Sequence, residues 1–333
     1  MTIRVVLVGL GPIGSAVARQ LVARKGFEVV GAVDVDPRKV GKDAGDVLGL
    51  GRTLQITVTN SIGRTLKATR PHIAVLCTSS SLARVMPQFE EVLKHRVPIV
   101  TTTEEAAYPA PRNRRLARRL DEAARKAKVA VLGTGVNPGF VMDALPIALT
   151  ACCERVDRVE VHRVQDARVR RRPFQQKIGA GLAPAEFERG VKAGTLKHVG
   201  FTESIHMIAA SLGWTLERVT ETVRPRLAQQ RVTGGFVRVA PGHVAGVVQD
   251  ARGYVKGEPR IALHLEAYLG APSSYDSILI EGSPRIYSRI EGGVHGDIAT
   301  ASIAVNAIPL VMAAAPGFRT MREMRLPSFY GGR

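Results

Sequence analysis

The chain has 333 residues, of which 45% are hydrophobic and 23% charged, and its formal net charge is +18 at pH 7. This balance excludes an intrinsically disordered protein, and the length suffices for two domains. The three cysteines, Cys77, Cys152 and Cys153, give neither a disulfide framework nor the spacing of metal ligands. We therefore expect a cytoplasmic protein without a metal site. The first predicted strand begins at residue 3, so no signal peptide is expected.

The basic residues are scattered along the chain, with only two local concentrations, residues 112–128 and 168–172. A basic surface attracts nucleic acids, but no recognised nucleic-acid-binding module accompanies either segment. We interpret both as solvated surface and expect no nucleic-acid partner. The most apolar segment, 303–317, is interrupted by Asn306 and Pro309. It predicts a core helix rather than a membrane span.

Apolar strands alternate with helices through the first half of the chain, which predicts an α/β fold with a Rossmann-type, doubly wound parallel sheet over residues 1–150. The predicted strands are 3–11, 28–36, 53–59, 72–80, 97–103 and 129–140, and the predicted helices are 12–25, 82–95 and 112–128. In the last of these helices Leu116, Leu120, Ala123 and Ala124 form the expected buried stripe.

From about residue 151 the pattern changes to strands with partial alternation, separated by two helical segments. These strands are 155–167, 227–240, 243–255, 260–270 and 276–290, and the helices are 184–194 and 202–214. The pattern predicts a second, mostly antiparallel α+β domain over 151–295 for substrate binding and oligomerisation, with a homodimer forming through its sheet. The C-terminal segment 296–333 is expected to return to the first domain.

A glycine fingerprint, G-x-G-x-x-G, begins directly after the first predicted strand. It comprises Gly9, Gly11, Pro12, Ile13 and Gly14. Such a turn lets the backbone approach a pyrophosphate, whose charge the following helix N-terminus stabilises. The context predicts a nicotinamide dinucleotide as cofactor.

Asp34 lies 20 residues after the last fingerprint glycine, at the end of the second strand. A carboxylate there binds the ribose hydroxyls of NAD and repels the 2′-phosphate of NADP. Arg38 and Lys39 follow closely and would partly offset that repulsion. NAD is therefore favoured as cofactor, with use of both NAD and NADP left open.

The carboxyl ends of the later strands should face the same crevice as the dinucleotide. This placement makes three small hydroxyl residues and one amide candidate cofactor contacts: Thr78, Ser79, Thr102 and Asn137. Asn137 carries both an acceptor and two donors for a carboxamide or a carbonyl, and its alternative role is that of a helix-entry turn.

Two adjacent carboxylates, Glu104 and Glu105, follow the strand that ends near residue 103. They suit the first turn of a helix, but Pro109 and Pro111 would interrupt such a helix, whereas the basic helix has a better start at Pro111. We therefore expect 104–109 to be a loop over the crevice that carries one general acid–base catalyst. Glu104, nearer the strand end, is preferred over Glu105.

Four segments together resemble the 2,4-diaminopentanoate dehydrogenases and the native amine dehydrogenases related to them. They are the fingerprint, TTEEAAYP at 102–109, GTGVNPGFVMD at 133–143 and HVGFTES at 198–204. The resemblance extends to HGDIAT at 295–300 and covers essentially the whole chain, and the N-terminal half is similar to dihydrodipicolinate reductase.

This resemblance implies an oxidoreductase that deaminates an amine to a ketone and ammonia with NAD or NADP, and that runs the reverse reductive amination. It places the catalytic glutamate in the Glu104–Glu105 pair and Phe140 in an apolar substrate pocket. The residues fit this chemistry, because deamination needs a base that takes a proton from the ammonium and activates water. We expect no nucleic acid and no membrane among its partners.

A looser similarity links 176–183 to the lysine-bearing substrate loop of dihydrodipicolinate reductase, so a cyclic-imine reductase is an alternative function. The double-histidine pattern of that enzyme is missing, since Arg163 follows His162. Lys177 is either a ligand for a substrate carboxylate or carbonyl, or a surface residue. His198 is either a polar pocket wall or a structural residue. A noncatalytic nucleotide-binding or nucleic-acid-binding protein is the alternative of a different class.

Overall fold

Seven parallel strands form the sheet of the first of two compact units. The computed structural model describes residues 2–332; the first unit runs to Phe140 and resumes at His295, and the second is Val141–Val294. Numbered in chain order, the first unit contains β1 Ile3–Val8, α1 Pro12–Ala23, β2 Phe27–Val33, α2 Ala44–Leu48, β3 Val58–Thr59, α3 Ile62–Thr69, β4 Ile73–Leu76, α4 Leu82–Lys94, β5 Ile99–Thr101, α5 Arg114–Ala127, β6 Ala130–Gly133, α10 Gly296–Ala313 and β15 Gly317–Arg319.

The strand order β15-β6-β5-β4-β1-β2-β3 confirms the predicted Rossmann-type parallel sheet. β4, β5 and β6 are buried along their whole length, which is why they read as continuous apolar runs. The order reverses between β1 and β4, and ligands of open α/β sheets bind at such a reversal, beyond the carboxyl ends of the strands.

The apolar C-terminal helix α10 belongs to the first unit. By length and hydropathy it could cross a membrane. However, eight of its residues are buried, and it packs on α1, where Arg24 donates to the Asn306 side chain (2.6 Å) and Gln20 to Ser302 (3.0 Å). These contacts identify α10 as a core helix.

The second unit is built on a six-stranded mixed sheet in the order β14-β13-β7-β12-β11-β8. Only the β12–β7 pair is parallel, which confirms a mostly antiparallel α+β domain. Its elements are α6 Ala144–Leu149, β7 Arg155–Asp166, α7 Arg172–Lys177, α8 Pro184–Lys192, α9 Phe201–Ser211, β8 Arg218–Leu227, β9 Val232–Thr233, β10 Arg238–Val239, β11 Val244–Val255, β12 Glu258–Tyr268, β13 Tyr275–Ser283 and β14 Ile286–Glu291.

Several predicted elements differ from the structure in detail. The single strand expected over 276–290 is two antiparallel strands, β13 and β14. The third strand was expected over 53–59 but pairs only at β3. The strand expected over 227–240 is instead the short β9–β10 hairpin, while β8 was not predicted. β8 is an edge strand whose residues alternate between exposed and half-buried, and Pro225 is tolerated at an edge.

The basic helix α5 begins at Arg114, after a 3-10 turn at Pro111–Asn113. Its buried residues are Ala117, Leu120, Ala124 and Ala127, whereas Leu116 and Ala123 are only half-buried. The buried face of α5 is therefore rotated by about one residue from the predicted stripe. Leu116 and Ala123 pack at the margin of the core cluster that contains Leu120, Ala124 and Ala127.

Candidate functional site

The glycine fingerprint forms a tight turn between β1 and α1. Gly9 has φ +89°, and a Cβ there would lie 2.7 Å from the Cys77 carbonyl oxygen, so only glycine fits. A Cβ on Gly14 would overlap the Gly9 carbonyl. Gly11 differs from both, because a Cβ there would meet no protein atom within 4 Å. The open space over Gly11, at the start of α1, fits a dinucleotide pyrophosphate.

Substitution of Gly11 tests this interpretation. The position has φ −68°, which any residue adopts, so Gly11→Ala should leave the melting temperature unchanged. It should nevertheless raise the Kd for NADH at least about tenfold, because the methyl group occupies the space of the pyrophosphate. Gly14→Ala is the contrast, and it should lower both stability and binding. A Gly11→Ala protein that binds NADH normally in a fluorescence titration would refute the assignment.

The acidic residue at the end of β2 is held by a network of donors. Asp34 is 9% exposed; its Oδ2 accepts from the Leu10 amide (2.7 Å) and Lys39 Nζ (2.9 Å), and its Oδ1 from the Asp36 amide (2.9 Å). Burial alone would raise the pKa of Asp34. Hydrogen bonds from the Asp36 amide, Lys39 and the Leu10 amide outweigh it and hold the pKa below its ordinary value.

The two cations that follow Asp34 are placed differently. Lys39 binds Asp34 and also donates to the Leu10 carbonyl at 3.0 Å. Arg38 instead pairs with Asp36 at 2.8 Å, with its side chain 86% exposed. Val35, beside Asp34, is 84% exposed, which leaves an apolar surface suited to an adenine ring. These features fit the adenosine half of a nicotinamide dinucleotide.

The hydroxyl residues after β4 lie at the carboxyl edge beside the fingerprint. Thr78 donates to the Gln88 side chain (2.7 Å), and the Ser79 hydroxyl accepts from the Ser81 amide (3.2 Å). Cys77 precedes them next to Gly9 and Gly14. Burial, opposed by a hydrogen bond with Thr102 and reinforced by the negative charge of Glu104, raises the pKa of Cys77 to about 11. Cys77 is therefore a neutral thiol and a poor nucleophile.

Both carboxylate oxygens of Glu105 are bound by other residues of the protein. Its Oε2 accepts from the Leu82 amide at the first residue of α4 (2.9 Å), and its Oε1 pairs with Arg112 (3.0 Å). Its own amide donates to the Ser80 carbonyl (3.2 Å). A carboxylate at a helix N-terminus satisfies a free N–H group and the helix dipole. Glu105 thus fastens the 104–107 segment to the start of α4.

Glu104 has a different environment. It is half-buried, close enough to Cys77 for its charge to act on that thiol, and it opens a 3-10 turn at Glu104–Ala106 in the segment expected to be a loop. Among residues 2–332, no side chain or amide forms a hydrogen bond or ion pair with its carboxylate. Of the two glutamates, Glu104 is the one whose carboxylate is available to a substrate.

The backbone around Glu104 is fixed from two sides. Thr101 donates to the Leu76 carbonyl (3.0 Å) and shares a hydrogen bond with the Thr103 hydroxyl (2.9 Å). On the other side Gly133, the last residue of β6, lies directly against the 3-10 turn, since a Cβ there would overlap the Ala106 carbonyl. Sequence reasoning missed this function of Gly133. A rigid scaffold of this kind is what a catalytic carboxylate requires.

Asn137 and Phe140 belong to the segment that follows β6. Asn137 is buried and precedes a cis peptide bond to Pro138, and Gly139 adopts φ +125°. Phe140 is half-buried and is the last residue of the first unit. Asp143 then caps α6 by accepting from the Ala144 amide (2.6 Å).

Two predicted pocket residues lie in the second unit. Lys177 is half-buried at the end of α7, and among the described residues its ammonium has no bonded partner. The backbone of His198 is held by Gln249, whose side chain accepts from the His198 amide (2.8 Å) and donates to its carbonyl (2.9 Å). Its ring packs edge-on to Phe201. Gln249, fully buried inside β11, was not predictable from local pattern.

No group of three or more His, Cys, Asp or Glu side chains within residues 2–332 is arranged to hold a metal ion. The candidate site consists of the fingerprint turn, the Asp34 network and Glu104.

Comparison with known families supports this reading of both units. The profile of the dihydrodipicolinate reductase N-terminus matches residues 3–134. The profile of the 2,4-diaminopentanoate dehydrogenase C-terminal domain matches residues 140–332. The two matches together span nearly the whole chain.

Three individual proteins are similar over almost their entire length. A 2,4-diaminopentanoate dehydrogenase from Acetoanaerobium sticklandii is 31% identical, with 98% of this chain and 94% of the relative covered. An amine dehydrogenase from Streptomyces virginiae is 24% identical, with 95% and 94% covered. The solved structure of an amine dehydrogenase from Mycobacterium smegmatis superposes with a TM-score of 0.88 at 28% identity, with 100% and 99% covered.

Proposed function

Because the chain belongs to the 2,4-diaminopentanoate dehydrogenase family, we propose that it oxidatively deaminates an amine to a ketone and ammonia with NAD or NADP, and catalyses the reverse reductive amination. The observation that carries this proposal is the difference in bonding between the carboxylates of the two glutamates. The Glu105 carboxylate is bound by the first amide of α4 and by Arg112. The Glu104 carboxylate has no bonded partner among the described residues.

Glu104 supplies the proton transfers that deamination needs. Its carboxylate takes a proton from the substrate ammonium, so that the nitrogen lone pair can expel hydride from the neighbouring carbon. The nicotinamide, when bound, supplies the hydride acceptor. Glu104 passes this proton to solvent, and the regenerated carboxylate then takes a proton from the water molecule that adds to the iminium carbon. Returned to the nitrogen of the resulting carbinolamine, that proton lets ammonia leave, while the hydroxyl proton goes back to Glu104 as the ketone forms. In the reverse direction the same side chain holds ammonia, protonates the departing hydroxyl group and then, as a carboxylate, stabilises the cationic imine.

We propose further that NAD is the preferred cofactor. Asp34 supports this assignment, since its Oδ1 accepts only the Asp36 amide and retains a lone pair for a ribose hydroxyl.

We also propose that the protein is a homodimer and that it is cytoplasmic, as the sequence predicts. The outward-facing edge strands β8 and β14, with Tyr287 56% exposed, provide a surface for a second copy. Sedimentation velocity measures the assembly directly.

A substrate screen tests the function. Reduced cofactor formation at 340 nm and released ammonia should be followed with 2,4-diaminopentanoate, simple alkylamines and α-amino acids, each with NAD and with NADP. We expect at least one amine to give equal amounts of both products. If all amines are inert while a cyclic imine dicarboxylate is reduced, the imine-reductase alternative replaces this proposal.

A further inference from the structure

The hydroxyl group of Thr134 is buried at the end of β6 without a hydrogen-bond partner. Thr134 is 2% exposed, and its amide donates to the carbonyl of Thr101, the last residue of β5 (2.9 Å). Within residues 2–332 no group bonds its Oγ1. An unpaired buried hydroxyl costs free energy, and a bound molecule can supply the missing partner. The ends of β5 and β6 therefore hold a polar group that is suited to a ligand.

The neighbouring hydroxyl groups at this edge of the sheet already have partners. Thr101 and Thr103, which are both buried, share a hydrogen bond (2.9 Å). The hydroxyl of Thr102 is bonded to the thiol of Cys77. Of the buried hydroxyl groups that the structure describes at the ends of β5 and β6, only that of Thr134 is unpaired.

The site residues also indicate where the nicotinamide ring binds. Asp34 after β2 fits the adenosine half of the dinucleotide, and the open space over Gly11 after β1 fits the pyrophosphate, so the nicotinamide half extends over β4, β5 and β6. The ring has to reach the substrate carbon beside Glu104, which follows β5, for hydride to be transferred. Gly133, the residue before Thr134, lies against the turn that carries Glu104.

We propose that the hydroxyl of Thr134 binds the carboxamide group of the nicotinamide ring and so orients the ring at Glu104. A carboxamide carries an acceptor oxygen and two N–H donors, so it can pair with a hydroxyl group in either direction. This bond fixes the rotation of the ring about its link to the ribose. The inference rests on the proposed function in that a nicotinamide dinucleotide binds at the fingerprint, whichever amine is the substrate.

Equilibrium binding without any amine tests this function of Thr134. Calorimetry compares NADH with ADP-ribose, which contains the adenosine and the pyrophosphate but no nicotinamide. Thr134→Val should raise the Kd for NADH about fivefold, as expected for one lost hydrogen bond, and should change the Kd for ADP-ribose by less than about twofold. The melting temperature of the cofactor-free variant should not fall, because no buried polar group loses a partner. Thr134→Ser keeps the hydroxyl and should bind NADH within about twofold of wild type.

Thr320→Val is the matched control. Thr320 follows β15 at the edge of the same sheet, is 7% exposed, and its Oγ1 is likewise unpaired in residues 2–332. Its substitution should leave both Kd values within about twofold of wild type, because β6 separates β15 from β5.

Two results with Thr134→Val would overturn the proposal. Equal weakening of NADH and ADP-ribose would show that Thr134 supports the fold of the site, and an unchanged Kd for NADH would show that its hydroxyl does not contact the ring. Intact cofactor binding without amine oxidation would refute only the proposed function. Binding of neither ligand to the wild-type protein would refute both.

Discussion

Glu104→Gln should abolish amine oxidation almost completely while the protein still folds and binds its cofactor. Glutamine keeps the size and hydrogen-bonding oxygen of the side chain but cannot accept the substrate proton. Loss of a general base typically lowers kcat by a factor of about 10² to 10⁴. Because no protein partner of the Glu104 carboxylate is lost among the described residues, the melting temperature and the Kd for NADH should stay at wild-type values.

Glu105→Gln is the matched control on the neighbouring residue. Its amide oxygen can still accept from the Leu82 amide, and only the ion pair with the 53%-exposed Arg112 is lost. Exposed pairs contribute about 0–1 kcal/mol, so activity should remain within about tenfold of wild type. Glu105→Ala should cost more stability, because the first amide of α4 loses its acceptor.

The opposite pattern would contradict the assignment. If Glu105→Gln eliminates ammonia release and Glu104→Gln does not, the base is Glu105. If both variants keep wild-type kcat, neither glutamate is the base and the proton-transfer mechanism fails. Stopped-flow measurement of NADH formation separates these outcomes, because it records the chemical step apart from product release.

The cofactor-binding features of this molecule could be predicted from the sequence because they depend on the geometry of a single turn. Gly9, Gly14 and Asp34 are tied to one turn by short-range steric and hydrogen-bonding requirements, and the turn follows a strand that reads as continuously apolar. The same holds for the parallel sheet, whose buried strands need no partner residues to be recognised.

The choice between the two glutamates was not readable, because it depends on residues distant in sequence. Glu105 is separated by 23 positions from Leu82, whose amide it binds. The close approach of Gly133 to Ala106 is likewise a tertiary contact. The sequence pattern also did not predict β8. This edge strand has no fully buried side chain, so it lacks the regular alternation of apolar and polar residues that identifies a strand.

A second large effect is expected in the core of the second unit, where Arg163 and Asp276 form a buried ion pair. Their side chains are 3% and 1% exposed, and Nη1 lies 2.7 Å from Oδ1. Burial lowers the pKa of Arg163 and raises the pKa of Asp276, although each charge opposes the shift of the other. The pair is therefore stable only if the attraction between the two charges offsets the free-energy cost of burying them.

The same two residues hold the end of the second unit. Asp276 Oδ2 accepts from the Val294 amide (2.7 Å), and Arg163 Nη2 donates to the Val294 carbonyl (2.5 Å), which also accepts from Gln165 (3.0 Å). Val294 is the last residue before the chain returns to the first unit. The ion pair thus fixes the exit of the chain from the second sheet.

Asp276→Asn should destabilise the second unit by about 3–5 kcal/mol, because it leaves the Arg163 charge buried without a counterion. Trp214 is the only tryptophan and lies in the second unit, so its fluorescence in a urea titration reports the unfolding of that unit. NADH binding reports the first unit separately and should persist at urea concentrations where Trp214 has already become exposed.

Glu281→Gln is the matched control, because Glu281 lies on the same strand β13 and pairs with Arg285 at the surface (3.2 Å, side chains 41% and 60% exposed). Its loss should change the unfolding free energy by less than about 1 kcal/mol. Equal effects of the two substitutions would show that burial does not amplify the Arg163–Asp276 interaction. A small effect of Asp276→Asn would show that Arg163, whose Nη2 already donates to the Val294 carbonyl, does not need the charge of Asp276 to remain buried.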